Sequence, residues 1–167
     1  MKKHPSLTLV PTKAGDVDYV MALEHNNRRW ICPWSAERHL AAIEDPDQRH
    51  YLLLDSEGKK QGLAILLGPD REHRSIMLKR LVVENKGQRW GSACMRLLLE
   101  ICFEKYDLHR FWLEVFADNE RARRLYVLQG LKEEVHMRKR LRKEGEFRDV
   151  IIMAMLSGEY RQNQAVV

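Results

Sequence analysis

The chain has 167 residues, a length that argues for one domain able to bury a core of its own. Hydrophobic residues are 44% and charged residues 32% of the whole, and no apolar run approaches the ~20 residues a spanning helix needs, so a membrane bundle and a disordered chain are both excluded. The net charge of +5 suits an anionic ligand: a phosphate cofactor, an acidic substrate or nucleic acid. At the start, MKKHPSLTLVP is basic, but Pro11 and Lys13 cut its apolar stretch short, and no signal peptide is read. Leu7 to Val10 is a short strand. Asp16 to Glu24 reads as a helix with Val17, Val20 and Met21 on one face. Asn26 to Pro33 is irregular, and Ser35 N-caps a short helix through Ile43, ended by Pro46. Tyr51 to Leu54 and Leu63 to Leu67 form a hairpin around Ser56-Glu57-Gly58. Ile76 to Val83 is a longer strand. A polar loop follows and opens a helix with one continuous apolar stripe: Trp90, Ala93, Cys94, Leu97, Leu98, Ile101 and Cys102. Arg110 to Phe116 is a strand, and Glu120 to Gln129 a helix stopped by Gly130. Glu134 to Leu141 and Arg148 to Leu156 form a closing hairpin, with a frayed tail expected after Tyr160.

Period two alternates with period 3.6 along the chain, which predicts a mixed α/β domain. Residues 1–160 read as a single domain and 161–167 as its tail. The cysteines are Cys32, Cys94 and Cys102. Their odd number and the lack of a CxxC point away from a disulfide framework or a zinc site and toward a reducing cytoplasm. The histidines show no ligand spacing, so no metal is expected.

The strand Leu81-Val82-Val83, its polar loop and the helix opened by Gly91 have a mechanical meaning. A helix N-terminus carries unpaired N–H groups and partial positive charge, and glycine lets a ligand approach the backbone. Together they suit a pyrophosphate, although an ordinary strand-to-helix turn has the same pattern. Downstream stands Asn119-Glu120-Arg121-Ala122-Arg123-Arg124-Leu125-Tyr126, then Gly130-Leu131.

These two segments, in this order and at this separation, resemble the GNAT family of N-acetyltransferases. Gln88-Arg89-Trp90-Gly91-Ser92-Ala93 matches the family's first motif, with Ala93 where many relatives have a second glycine. Asn119, Ala122, Leu125, Tyr126 and Gly130 match the second, with Leu131 in place of a phenylalanine. The ending from Arg148 to Ala154 is similar to ribosomal-protein N-terminal acetyltransferases, and the closing hairpin to spermidine acetyltransferases. The resemblance implies a twisted mixed sheet of about seven strands flanked by about four helices. It implies direct transfer of an acetyl group from acetyl-CoA to an amine, without a metal.

By the same resemblance, Gln88, Trp90, Gly91, Ser92 and Ala93 hold the pyrophosphate, with Arg89 either adding a cation beside it or standing as a solvated loop arginine, and Leu81, Val82 and Val83 pair their backbone with pantetheine. Asn119 hydrogen-bonds the pantetheine arm, or caps its helix, or both. Tyr126 is the general acid for the leaving thiolate. The glutamate that many relatives carry near the start of the fourth strand is replaced here by Ser75 and Ile76. Glu114, 126 − 114 = 12 residues before Tyr126, is the alternative base; a strand glutamate paired with a basic side chain fits equally well. Glu72 and His73 are weaker candidates. Asn27, Trp30 and Trp34 are expected to line the acceptor site, unless they form a satellite cluster that pins the loop. The basic stretch from His136 to Lys143 reads mainly as a solvated outer face.

The partners expected are acetyl-CoA and an amine acceptor, with no membrane and no nucleic acid; a homodimer is left open. The competing reading is a catalytically weakened module of the same fold that binds acyl-CoA or associates with RNA.

Overall fold

The computed structural model describes residues 5–165. Seven strands form one sheet: β1 (Leu7–Pro11), β2 (Gln48–Asp55), β3 (Lys60–Asp70), β4 (Ser75–Val83), β5 (Arg110–Phe116), β6 (Lys132–Lys143) and β7 (Glu146–Leu156). Their order is β1-β2-β3-β4-β5-β7-β6. Every neighbouring pair is antiparallel except β4 and β5. A parallel pair needs a long crossover, and α3 (Trp90–Glu100) supplies it. The other helices are α1 (Val17–Asn26), α2 (Ala36–Glu44), α4 (Glu120–Leu128) and α5 (Ser157–Ala165).

Helices cover both faces of the sheet, so its central strands read as apolar runs. Along β3, Leu63 and Ile65 pack with Val20, Leu23 and Ala42 of α1 and α2. The alternate residues Ala64 and Leu66 pack with Cys94, Met95 and Leu98 of α3.

The expected mixed sheet of seven strands is present. Among the described residues there are five α-helices rather than about four, because the segment after Leu156 is helical through Ala165. Tyr160 anchors it by stacking on Phe103 at 4.9 Å between ring centroids, so residues 161–165 are not frayed. The tail's last two residues, and residues 1–4, lie outside the described residues. The apolar stripe of α3 continues to Cys102 as expected, but the helix changes to a π-helical turn over Ile101–Lys105. On α1 the buried face is Val17, Val20, Leu23 and Glu24, with Met21 only half-buried.

Glu24 is fully buried and holds α1, α2 and the sheet together. Its Oε1 accepts from Arg80 Nε of β4 at 2.6 Å, and its Oε2 accepts from the Trp34 backbone N–H at 2.7 Å. His39 Nε2 of α2 lies 3.2 Å from the same carboxylate. His39 Nδ1 lies 3.0 Å from His50 Nε2 of β2, and His50 Nδ1 lies 2.8 Å from Thr12 Oγ1. The assignment that keeps both rings neutral runs from the Thr12 hydroxyl through His50 and His39 to Glu24. Burial works against the Glu24 charge, but His39, Arg80 and the Trp34 N–H outweigh it and hold the carboxyl below its ordinary range.

Burial, with His39 beside it, pushes His50 down to about 4 from 6.5. Below pH 6.5 the unfolded chain therefore binds a proton that the folded chain refuses. Stability is expected to fall as pH drops from about 6.5 to about 4, by up to about 3 kcal/mol from this group. Urea unfolding at pH 7.5, 6.0 and 5.0 checks this; equal stabilities at all three would contradict it.

Candidate functional site: a cleft between two diverging strands

Strands β4 and β5 pair only from Ser75–Arg110 to Leu78–Leu113. Beyond that point they separate. A β-bulge marks the place: on β3, Ile65 and Leu66 face Arg80 and Leu78, leaving Lys79 as the extra residue. A bulge bends its strand and turns the following side chains over. Arg80 and Val82 thus face α1 and α2, while Leu81 and Val83 face α3. Meanwhile β5 stays paired to β7 from Arg110 to Phe116, so it cannot follow β4.

The divergence leaves main-chain groups of β4 facing a gap. The Glu84 N–H donates to Gln61 O of the neighbouring chain segment. Antiparallel bonding repeats every second residue, so Val82 and Arg80 bond toward β3. The N–H groups of Leu81 and Val83 point to the open side.

A cleft of about 630 Å³ fills this gap, in the range of small-molecule sites. Leu81, Val82 and Val83 line one wall, and Glu114, Val115 and Phe116 the other. At one end lies the N-terminus of α3. Its preceding residue, Arg89, has φ 65° and offers no side-chain cap. By contrast, the Ser35 hydroxyl caps α2 and the Asn119 side chain accepts from the Ala122 N–H at 3.2 Å to cap α4. The first N–H groups of α3 therefore remain for another acceptor. Residues 85–87 and 89–92 line this end, which carries Lys86 and Arg89 beside Arg121 of α4. Gly91 lets α3 and α4 approach: a Cβ there would meet Leu125 Cδ2 at 3.2 Å.

Most of the expected site residues meet in this cleft. Leu81, Val82, Val83, Arg89, Trp90, Gly91, Ser92, Asn119, Tyr126, Glu114, Asn27, Trp30 and Trp34 all line it. Gln88 and Ala93 do not. Gln88 Oε1 accepts from the Trp90 indole at 3.2 Å, and Ala93 is buried under the helix. Ser92 Oγ accepts from Gln129 Nε2 at 2.9 Å, which ties α3 to α4. Tyr126 is buried, and burial, with Cys94 adding to it, pushes its phenol well above the ordinary range. Its hydroxyl stays protonated at neutral pH. Among the described residues, no three His, Cys, Asp or Glu side chains gather as a metal site.

The loop between α1 and α2 closes the other end. Lys143 Nζ of β6 donates to Ile31 O at 2.6 Å, and Arg148 Nη1 of β7 donates to Arg29 O at 2.7 Å. Arg148 also pairs with Asp118 at 2.6 Å, and its guanidinium lies 3.9 Å from the Phe116 ring centroid and 5.2 Å from that of Trp30. The loop is thereby strapped across the mouth of the gap. Trp34 serves both readings made of it: it belongs to the buried core and lines the cleft.

Sequence reasoning missed Glu24, Arg38, His39, His50, Lys79 and Arg80. The signal for Glu24 was a carboxylate at i+4 from Val20 and i+7 from Val17, on the apolar face of a helix. The basic hairpin stretch is mainly exposed, but Arg140 and Leu141 reach the cleft.

Comparison with known proteins agrees with this architecture. Residues 19–131 match the acetyltransferase (GNAT) family. The chain belongs to that family. It is an acetyl-CoA-dependent N-acetyltransferase. The spermidine N(1)-acetyltransferase of Vibrio cholerae is 26% identical over 165 residues, covering 92% of this chain and 95% of the relative. That of Escherichia coli K12 is 24% identical, covering 93% and 88%. A crystal structure of the Vibrio cholerae enzyme in complex with CoA and spermine superposes with a TM-score of 0.85 at 24% identity, covering 93% of this chain and 98% of that one. Among the described residues, no helix is long and apolar enough to cross a membrane.

Arg148→Ala is expected to release the strap. Amide exchange over residues 28–32 should speed up at least tenfold while global stability changes little; unchanged exchange would show that the loop is held by its own packing.

Proposed function

We propose that acetyl-CoA lies in the gap between β4 and β5 and that Tyr126 and Glu114 serve the transfer to an amine entering under the α1–α2 loop. The observation that carries this reading is the divergence itself: an open backbone edge on β4, an uncapped α3 N-terminus at one end and a buried phenol beside them. Pantetheine has amides that suit the exposed N–H groups of Leu81 and Val83. The α3 N-terminus, Lys86 and Arg89 suit the pyrophosphate.

In the reaction the free amine attacks the thioester carbonyl. The C–N bond forms, and the oxyanion is met by a backbone N–H of β4. The amine's proton passes to Glu114 or to water. The C–S bond breaks, and the thiolate takes the Tyr126 proton, which solvent then restores. Burial makes this phenol a weaker acid, so the step depends on its position beside the sulfur and on a thiolate made more basic by the same dry site. Glu114 lines the cleft within electrostatic reach of Lys79. Both readings of this glutamate are supported together: it has a basic neighbour and it faces the acceptor side.

The spermidine named for the relatives supports a primary amine as the reacting group. The three free cysteines suit a cytoplasmic enzyme. The presence of Tyr126 and Asn119, both lining the cleft, favours an active enzyme over the weakened binding module.

Calorimetry with acetyl-CoA tests the site. Tyr126→Phe is expected to bind acetyl-CoA as the parent does while losing on the order of 10²-fold in kcat. Gly91→Glu should abolish binding, since a side chain there presses on Leu125 of α4 and puts a negative charge in the first turn of α3, where the pyrophosphate would sit. Binding that survives Gly91→Glu would contradict this placement.

A further inference from the structure

The two ends of the cleft differ in what their charges can do. At the α3 end the cations have phosphates to meet. Around Trp34 and the bulge lie Arg38, Lys79 and Arg80, Arg140 also lines the cleft, and Glu114 is the one carboxylate among the lining residues. Arg80 is compensated by Glu24 at 2.6 Å and also donates to Cys32 O at 2.7 Å. Three cations thus stand against Glu114.

Their placement is specific. The Arg38 and Arg80 guanidiniums lie 4.2 Å and 5.4 Å from the Trp34 ring centroid. Lys79, the bulge residue, is within electrostatic reach of Arg80, Arg38 and Glu114. Burial, Arg80 and Arg38 all disfavour its charge, and Glu114 and Cys32 offset them only in part, so its ammonium is held below the ordinary lysine range. A partly buried cation crowded by like charges gains from an anion brought to it. A polyamine would bring further positive charge to this end.

We propose, resting on the acetyl-transfer reading above, that the acceptor is a small primary amine carrying a carboxylate or phosphate close to its nitrogen. The anionic group lies among Lys79, Arg38 and Arg140, and the amine faces Glu114 and the thioester. Trp30 and Trp34 wall the space around it. The chemistry is unchanged: the amine nitrogen gains the acetyl carbon and gives up its proton, and CoA leaves as the thiol. This acceptor differs in charge from the spermidine named for the relatives.

The test measures CoA release from acetyl-CoA with matched acceptors. The standard α-amino acids are each set beside their α-amides, O-phosphoethanolamine beside ethanolamine, and spermidine beside all of them. The expected result is that at least one anionic amine exceeds its uncharged counterpart and spermidine by tenfold or more in kcat/KM. An amide's amine is the less basic of its pair and so more available for attack, which makes a preference for the acid the more telling. Lys79→Gln and Arg140→Gln should each raise KM for that acceptor about tenfold, leaving acetyl-CoA affinity as in the parent. Arg140, on the exposed hairpin, is the control should Lys79→Gln unsettle the bulge. Spermidine or the uncharged partners winning would overturn this inference and leave the acetyl-transfer reading standing. Bound acetyl-CoA with none of these amines acetylated would overturn this inference, whereas no binding of acetyl-CoA would overturn the reading on which it rests.

Discussion

A parallel strand pair that stops after four residues governs the rest of this structure. From Leu78 and Leu113 onward, β4 and β5 are each held from outside, β4 by β3 and β5 by β7. Neither can turn back to close the ladder. Buried main-chain donors and acceptors are costly when unpaired, so an open edge in the middle of a sheet calls for a ligand with amides of its own. The bulge at Lys79 sets where the edge opens and which side chains face it. The uncapped start of α3, reached through the loop that leaves β4, sets where a phosphate fits. In the function proposed above, cofactor position and reaction centre both follow from one interruption of hydrogen bonding.

The second constraint is electrostatic. Glu24 brings Arg80, His39 and the Trp34 backbone to one buried carboxylate. Removing either partner of such a pair leaves an uncompensated charge, a loss of about 3–5 kcal/mol. The network fixes α1 and α2 over the sheet and keeps Trp34 between two guanidiniums. It also neutralises Arg80, so that the excess charge around Trp34 and the bulge rests on Lys79 and Arg38. The strap through Lys143 and Arg148 completes the enclosure from the opposite side of the gap.

Much of this was legible in the sequence. Apolar runs and alternation marked the strands, because burial on both faces leaves a continuous run, as in β3, and burial on one face a period of two, as in β4. The α3 stripe and the order of the two motifs pointed to the family, and most motif residues do reach the cleft. What escaped was of another kind. The bulge arises from register between β3 and β4, which no local pattern at Lys79 announces. The chain from Thr12 to Arg80 draws on four separate elements and a loop, and apart from Glu24, which falls on the apolar face of α1, each residue alone looks like an ordinary surface polar group. Residues 161–165 are polar in sequence, and only the Phe103–Tyr160 stack, a tertiary contact, shows why they are helical.

The most direct test is amide hydrogen exchange of β4 with and without acetyl-CoA. If the cofactor completes the interrupted ladder, the Leu81 and Val83 amides should slow at least tenfold on binding, while those of β1 and β2 stay unchanged. Protection that appears elsewhere and leaves Leu81 and Val83 unaltered would contradict the account.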